Sequence, residues 1–182
     1  IAKDAESTDM ESFMALPYGE GTVQDALTQK IAKIGENMSV RRVGKFGTPG
    51  VKYVGYLHMG GKIAVLAILS KDDPEFAKAL AMHIAANSPY YIDLKDVPAA
   101  DRDRETAIAT KEVADDEKLI NKPEQVKAMI IEKKVDKVLS TSCLALQPYL
   151  MDDSKTVGQV LKEKGIEIKS FIRYQVGEGI VK

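Results

Sequence analysis

The stretch that decides the fold is Val51-Lys-Tyr-Val-Gly-Tyr-Leu-His-Met-Gly-Gly-Lys-Ile-Ala-Val-Leu-Ala-Ile-Leu69. Side chains in an extended strand point alternately to opposite faces, so Tyr53 and Leu57 fall on the same face of its first half. The Gly60-Gly61 pair allows a tight reversal of the chain. Residues 63–69 are continuously apolar, as in a strand that is buried on both faces. The stretch predicts an antiparallel hairpin whose second strand is central in a sheet.

A helix is predicted directly after this hairpin. Asp73 and Pro74 are typical of a helix start, because proline fits the first helical position and aspartate accepts hydrogen bonds from free amides. The apolar residues Phe76, Leu80 and Ile84 recur at helical spacing. We therefore expect a helix from Asp73 to about residue 87 that covers the hairpin.

Residues 98–141 predict an antiparallel pair of helices that protrudes from the core. The first arm, 99–117, is charged and has no large apolar stripe, so it does not lie deep in a core. In the second arm, Asn121 and Glu124 form an N-cap pair. The apolar positions of this arm recur every three or four residues, at Ala128, Ile131, Val135 and Val138. This spacing is typical of a short coiled coil.

After the insertion the chain returns to the core. Ser154 is placed to cap a short helix that ends at Gly165, and the residues expected inside it are Val157, Val160 and Leu161. A strand with alternating side chains follows. Its predicted apolar face consists of Ile166, Ile168, Ile172, Tyr174 and Val176.

The N-terminal part looks like an incomplete copy of this unit. Thr22 and Asp25 can cap a helix over 23–34 that ends at Gly35. Met38 to Phe46 has the β-branched residues of a strand, and 47–50 are turn residues. A helix followed by a strand is also the order at the end of the second unit, so this part corresponds to a copy without its front half.

The predicted fold class is α+β, with small antiparallel sheets covered by helices and two similar subdomains, the first of which is incomplete. An N-terminal core subdomain is expected at 1–48. The C-terminal core subdomain is expected at 49–97 together with 142–182, and the inserted helical hairpin at 98–141.

Composition narrows the classes of function. The 182 residues include 26 basic and 27 acidic side chains, which gives a net charge of -1. This balance argues against direct binding of nucleic acid and against a polybasic membrane-surface protein. The longest apolar run, Ile63 to Leu69, is too short to cross a membrane. A single cysteine, seven methionines and the lack of an opening signal peptide favour the cytoplasm.

Motifs for metal or cofactor chemistry are not found in the sequence. Its two histidines, His58 and His83, lack the spacing of a zinc site. Residues 55–63 end in Gly-Gly-Lys-Ile but lack the serine or threonine that a phosphate-binding loop needs. Residues 101–105 have alternating acids but lack the glycine of a calcium loop. We therefore expect no cofactor and no metal site.

The single cysteine and the two histidines are the candidates that we weigh for acid–base or nucleophilic chemistry. Cys143 lies beside Leu144 and Leu146, which favours a buried small side chain over a nucleophile. His83 lies on the predicted helix and is expected to be packed. His58 stands at the turn of the hairpin, where a side chain is presented outward to a partner.

Five stretches together resemble one protein family, bacterial translation elongation factor Ts. They occur in the family's order and span about residues 30 to 182: Ile34-Gly-Glu-Asn-Met-Ser-Val-Arg-Arg42, Tyr56-Leu-His-Met-Gly-Gly-Lys-Ile63, Ala81-Met-His-Ile-Ala-Ala86, Asp153-Ser-Lys-Thr-Val-Gly158 and Phe171-Ile-Arg-Tyr-Gln-Val-Gly-Glu-Gly179. The resemblance implies a guanine nucleotide exchange factor for elongation factor Tu, without covalent chemistry. It also implies a core of two subdomains and a helical hairpin that is a possible homodimerisation element.

The resemblance further implies which residues touch the partner, namely His58, Met59, Gly60, Gly61 and Ile1. The family carries an N-terminal three-helix module and then a Thr-Asp-Phe-Val segment that disturbs the magnesium and nucleotide site of its partner. Ile1 matches the last position of that segment, so the element that drives exchange is expected to be missing here.

Two alternative functions stay open at this point. One is an RNA- or ribosome-associated binding protein that uses Arg41, Arg42 and Lys45. The other is a small α+β enzyme that uses Cys143 or His58.

Overall fold

The computed structural model describes residues 9–44 and 52–179. The chain divides into two compact units, residues 1–50 and 51–182. The described parts combine helices with small antiparallel sheets, which confirms the α+β fold class.

The first unit contains a short helix α1 (Met10–Met14), a two-stranded ladder of β1 (Pro17–Tyr18) and β2 (Gly21–Thr22), and the longer helix α2 (Val23–Ile34). The prediction of α2 is confirmed. Thr22 and Asp25 form the capping box at its start, and Gly35 ends it in a left-handed conformation with a φ of 77°. Phe13 and Val23 form the small core of this unit.

The predicted strand from Met38 to Phe46 is wrong over residues 38–44, which form no strand. A strand needs a neighbour to accept and donate its backbone hydrogen bonds. Within the described residues of this unit, the only ladder is the β1–β2 pair. Residues 45 and 46 and the predicted turn at 47–50 lie outside the described residues.

The second unit is built on a three-stranded antiparallel sheet of β3 (Lys52–His58), β4 (Ile63–Leu69) and β7 (Ile168–Gln175), in the order β3-β4-β7. The predicted hairpin and its central second strand are confirmed over these residues. Helix α3 (Pro74–Asn87) packs on β3 and β4 and buries Leu80 and Ile84 completely. Val54 and Tyr56 of β3 face this core, whereas Tyr53 and Leu57 are exposed on the other face.

The predicted apolar face of the last strand is split by a bulge. Ile68 pairs with Ser170, but Leu69 pairs with Ile168, so one residue of β7 is left without a partner. An extra residue reverses the alternation of side chains. Ile168 therefore faces the core before the bulge and Phe171 faces it afterwards, while Ile172 and Tyr174 lie on the opposite face.

A second small ladder, β5 (Pro148–Tyr149) with β6 (Asp152–Thr156), leads into helix α6 (Val157–Lys164). The predicted cap Ser154 is wrong, because it lies within β6. Thr156 caps the helix instead, in a capping box with Gln159. The prediction of the apolar side is confirmed, since Val157, Val160 and Leu161 are all buried.

The helices α4 (Ala99–Asp115) and α5 (Glu124–Ser140) pack against each other, as predicted for the hairpin. Two details of the prediction are wrong. Helix α5 has no side-chain cap, and its buried positions are Val135 and Leu139, with Val138 half-exposed. Successive side chains of a helix point in directions about 100° apart. The face of α5 that buries Leu139 therefore leaves Val138 pointing toward solvent.

The two units share one structural motif. In the first unit, Leu16 accepts a hydrogen bond from the Val23 amide at 3.0 Å, and in the second, Gln147 accepts one from the Val157 amide at 3.0 Å. Each acceptor is followed by a Pro-Tyr strand, a short ladder and a threonine-capped helix that ends in a left-handed glycine. Tyr149 is buried, but the matching Tyr18 is half-exposed. The motif therefore forms both with its tyrosine buried and with its tyrosine half-exposed.

No helix in the described ranges has the length and apolar character needed to cross a membrane.

Candidate protein-binding site

The candidate site is the tight turn between β3 and β4. Residues Met59–Gly61 form one turn of 3-10 helix after His58. Met59, Gly60 and Gly61 all have positive φ, at 51°, 65° and 89°. Glycine adopts this conformation without steric cost, which explains the pair of glycines predicted to reverse the chain. The structure brings four of the five predicted contact residues together here, while Ile1 lies outside the described residues.

His58 is exposed and is oriented by a neighbour on its own strand. The Tyr56 hydroxyl lies 3.1 Å from His58 Nδ1, and the two rings stack with centroids 5.9 Å apart. Tyr56 itself packs against the core. The core therefore holds the imidazole in a defined direction without burying it, an arrangement suited to contact with another molecule.

The end of β7 supports this turn from the other side. Ile63, the first residue of β4, pairs with both His58 and Gln175, and the Val176 amide donates to the Lys62 carbonyl at 2.9 Å. Arg173 anchors this end, because its nearly buried guanidinium donates to the Ala85 carbonyl at 3.2 Å and to Gln175 Oε1 at 2.8 Å.

Three apolar side chains are exposed at this end of the sheet. Leu57, Met59 and Val176 are 70%, 61% and 76% exposed. Val176 was predicted as part of a strand face, and its place beside the turn depends on the pairing of β7 with β4. Exposed apolar side chains at the same end of a sheet as an exposed hydrogen-bonding side chain are typical of a protein–protein contact.

His83, the other histidine, is fully buried in α3. The Leu150 amide donates to His83 Nδ1 at 3.2 Å, and His83 Nε2 lies 2.9 Å from Gln147 Oε1. The Gln147 amide nitrogen in turn donates to the Thr141 carbonyl at 2.7 Å. Burial lowers the pKa of His83 and favours its neutral ring. This confirms a packed histidine, which links α3 to the end of α5 and to the β5–β6 turn.

The alternative of an enzyme receives no support from this geometry. Cys143 is fully buried, and its backbone forms an isolated parallel β-bridge with the backbone of Tyr91. Burial raises the pKa of its thiol to about 11, so the reactive thiolate is scarce near neutral pH. Among the described residues, no three His, Cys, Asp or Glu side chains are grouped to hold a metal ion.

The RNA-binding alternative rests on three basic residues. Arg41 and Arg42 are exposed after α2, and both take part in further interactions. Lys45 lies outside the described residues. These positions leave this alternative a hypothesis.

A comparison with protein families gives a match to the model described as Elongation factor TS over residues 1–178. The chain belongs to the elongation factor Ts family. Curated relatives named Elongation factor Ts include those of Oenococcus oeni, 41% identical over all of this chain and 61% of the relative, and of Bordetella petrii, 41% identical over 96% of this chain and 57% of the relative. A third, from Thiobacillus denitrificans, is 42% identical over 96% of this chain and 58% of the relative.

The chain thus spans about three fifths of the length of these elongation factor Ts relatives. Family membership confirms the resemblance drawn from the five sequence stretches. It does not test which side chains of this chain touch a partner, so the contact role of the His58 turn remains a prediction.

Proposed function

We propose that this chain is the core of a translation elongation factor, which binds the GTPase elongation factor Tu in its GDP form and promotes release of GDP. The observation that carries the proposal is the oriented, exposed His58 at an apolar turn, in a chain of the elongation factor Ts family. The proposed site is His58 with Met59, Gly60 and Gly61.

The proposed activity needs no covalent step. An exchange factor binds the nucleotide-free form of its partner more tightly than the nucleotide-bound form, and by linkage its binding weakens the hold on the nucleotide. The residues of this chain would supply binding energy alone. Because bacterial translation takes place in the cytoplasm, we place the protein there.

A second proposed partner is another copy of this chain, bound through the helical hairpin. Ile108 of α4 and Val138 of α5 are half-exposed. The Lys134–Glu112 ion pair, at 2.8 Å, joins the two helices one turn further along from these residues. Covering apolar side chains of this kind yields about 25 cal/mol per Å², which favours association of two hairpins over exposure to water.

The test of the proposed contact compares His58→Ala with Lys52→Ala in calorimetric titrations of elongation factor Tu bound to GDP. Both residues are exposed and lie on β3, at opposite ends of the strand. We expect His58→Ala to weaken binding by about 1 to 2 kcal/mol, a common value for truncating a contact residue, and Lys52→Ala to leave it unchanged. Unchanged affinity for His58→Ala would refute the proposed site.

A further inference from the structure

The two histidines of the chain each have a ring nitrogen in contact with a neighbouring polar group. A neutral imidazole carries one proton, either on Nδ1 or on Nε2. The nitrogen with the proton donates a hydrogen bond and the other nitrogen accepts one, so the neighbour of one nitrogen decides where the proton lies. The tautomer of each ring determines what that ring offers to another molecule.

The tautomer of His83 follows from a backbone amide. The Leu150 N–H has only a proton to offer and lies 3.2 Å from His83 Nδ1, so Nδ1 accepts and the proton of the ring is on Nε2. This Nε2–H donates to Gln147 Oε1 at 2.9 Å, and the Gln147 nitrogen points away to the Thr141 carbonyl at 2.7 Å. His83 is therefore a reference of known tautomer within the same chain.

The same argument applies to His58, with a hydroxyl group in place of the amide. The Tyr56 hydroxyl lies 3.1 Å from His58 Nδ1. A phenol hydroxyl is a better donor than acceptor, because a lone pair of its oxygen is delocalised into the ring, whereas a ring nitrogen without a proton is a good acceptor. The hydroxyl therefore donates to Nδ1, which places the proton of His58 on Nε2.

Tyr56 is held firmly enough to impose this choice. It packs against the core of the second unit, whereas His58 is exposed. Residues two apart on a strand lie on the same face, and the two rings stack with an angle of 29° between their planes. Within the described ranges, the imidazole has no other hydrogen-bonding partner. Tyr56 thus decides which edge of the imidazole faces the sheet, and Nε2 is left for another molecule.

We propose that Tyr56 is a positioning residue that holds His58 in the tautomer with its proton on Nε2, so that the GTPase partner must supply a hydrogen-bond acceptor, such as a carbonyl or carboxylate oxygen. The tautomer is a property of the free chain. The acceptor on the partner rests on the function proposed above.

The tautomer is tested by long-range proton–nitrogen correlation NMR of the full chain with isotope-labelled histidine, at about pH 8 to favour neutral rings. Such spectra distinguish a protonated ring nitrogen from an accepting one. We expect a protonated Nε2 in both histidines. In Tyr56→Phe, which keeps the ring but removes the hydroxyl, the two nitrogen shifts of His58 should move toward each other as both tautomers become populated. Those of His83 should stay unchanged.

Tyr53→Phe is the matched control, because Tyr53 lies on the same strand but is exposed on the opposite face. This variant should leave both histidines as they are in the natural chain. A proton on Nδ1 of His58 in the natural chain overturns the inference. Unchanged His58 shifts in Tyr56→Phe overturn it as well, and neither result depends on binding of the GTPase.

The acceptor on the partner is tested by adding elongation factor Tu bound to GDP. We expect His58 Nε2 to stay protonated in the complex, and Tyr56→Phe to bind about threefold more weakly than Tyr53→Phe, because part of its population presents an accepting nitrogen. Loss of the Nε2 proton on binding, or equal affinity of the two variants, overturns this half of the inference. If the natural chain does not bind the GTPase, the proposed function and this half fail together, while the spectra of the free chain still decide the tautomer.

Discussion

Replacement of His83 by leucine should destabilise the second unit without touching the candidate site. His83 is fully buried and joins two groups, the Leu150 amide at 3.2 Å and Gln147 Oε1 at 2.9 Å. Leucine fills a similar space but can bond neither group. A buried polar group left without a partner costs about 1 to 3 kcal/mol. Because the Leu150 amide and Gln147 Oε1 both lose their partner, we expect the free energy of unfolding to fall by about 2 to 3 kcal/mol.

The effect is measurable by urea unfolding at constant pH, as a lower midpoint with an unchanged slope. For a chain of this size, the melting temperature should fall by about 4 to 12 °C. His58→Leu is the matched control, because His58 is exposed, and a surface substitution typically stays within about 0.5 kcal/mol. If His83→Leu lowers the free energy of unfolding by less than about 0.5 kcal/mol, the hydrogen bonds of His83 do not stabilise the second unit as we infer.

The same histidine predicts a dependence of stability on pH. Burial lowers the pKa of His83 below its ordinary value of 6.5, so the unfolded chain binds a proton more readily than the folded one. The stability that neutral His83 contributes to the folded state is therefore fully present above pH 6.5. It is lost as the pH falls from 6.5 through the folded-state pKa. Urea midpoints from pH 7 to 5 should fall for the natural chain and fall less for His83→Leu. Parallel slopes for the two proteins would exclude His83 as the cause.

Two further predictions concern binding and assembly. A polypeptide of these 182 residues contains no Thr-Asp-Phe-Val segment, so it should bind elongation factor Tu but accelerate GDP release poorly. Fluorescent GDP release as fast as with a full-length factor would contradict this. Deletion of residues 100–138 with a short glycine bridge should leave the core folded and abolish self-association. The Tyr90 amide bonds to the Ser142 carbonyl, so the segments that lead into and out of the hairpin lie close together without it. Sedimentation of both forms at matched concentration measures the difference, and a monomeric intact chain or an unfolded deletion form would count against the hairpin as an association arm.

Local signals made most elements predictable from the sequence. The α2 helix has both its capping box and its glycine end in the sequence, and the start of α3 at Asp73-Pro74 is equally local. Ser154 and Thr156 both carry hydroxyl groups two residues apart. Ser154 lies inside β6, so Thr156 at the end of that strand caps the helix. The sequence alone does not show that β6 forms.

Two of the misses arose where pairing between distant segments decides the outcome. The bulge in β7 is visible only in its register with β4, where Leu69 pairs with Ile168. The strand expected from Met38 has a suitable composition, but composition cannot supply the neighbouring strand that it needs.

The candidate site was predictable to a similar extent. The glycines at 60 and 61 indicate a turn, and a turn presents His58 outward. The position of Val176 depends on β7, and the positive φ of Met59 has no signature in its side chain. Both features therefore required the structure.

The order in which the sheet is completed has a consequence for synthesis of the chain. The central strand β4 pairs with β7, and partners such as Ile68 and Ser170 are about a hundred residues apart. At translation rates of about 5 to 20 residues per second, that interval lasts roughly 5 to 20 seconds. During this time one edge of an apolar strand has unpaired backbone groups, a state prone to aggregation. Helix α3 and the locally closed pair of α4 and α5 can form in that interval, so chaperone demand should be greatest before the last strand emerges.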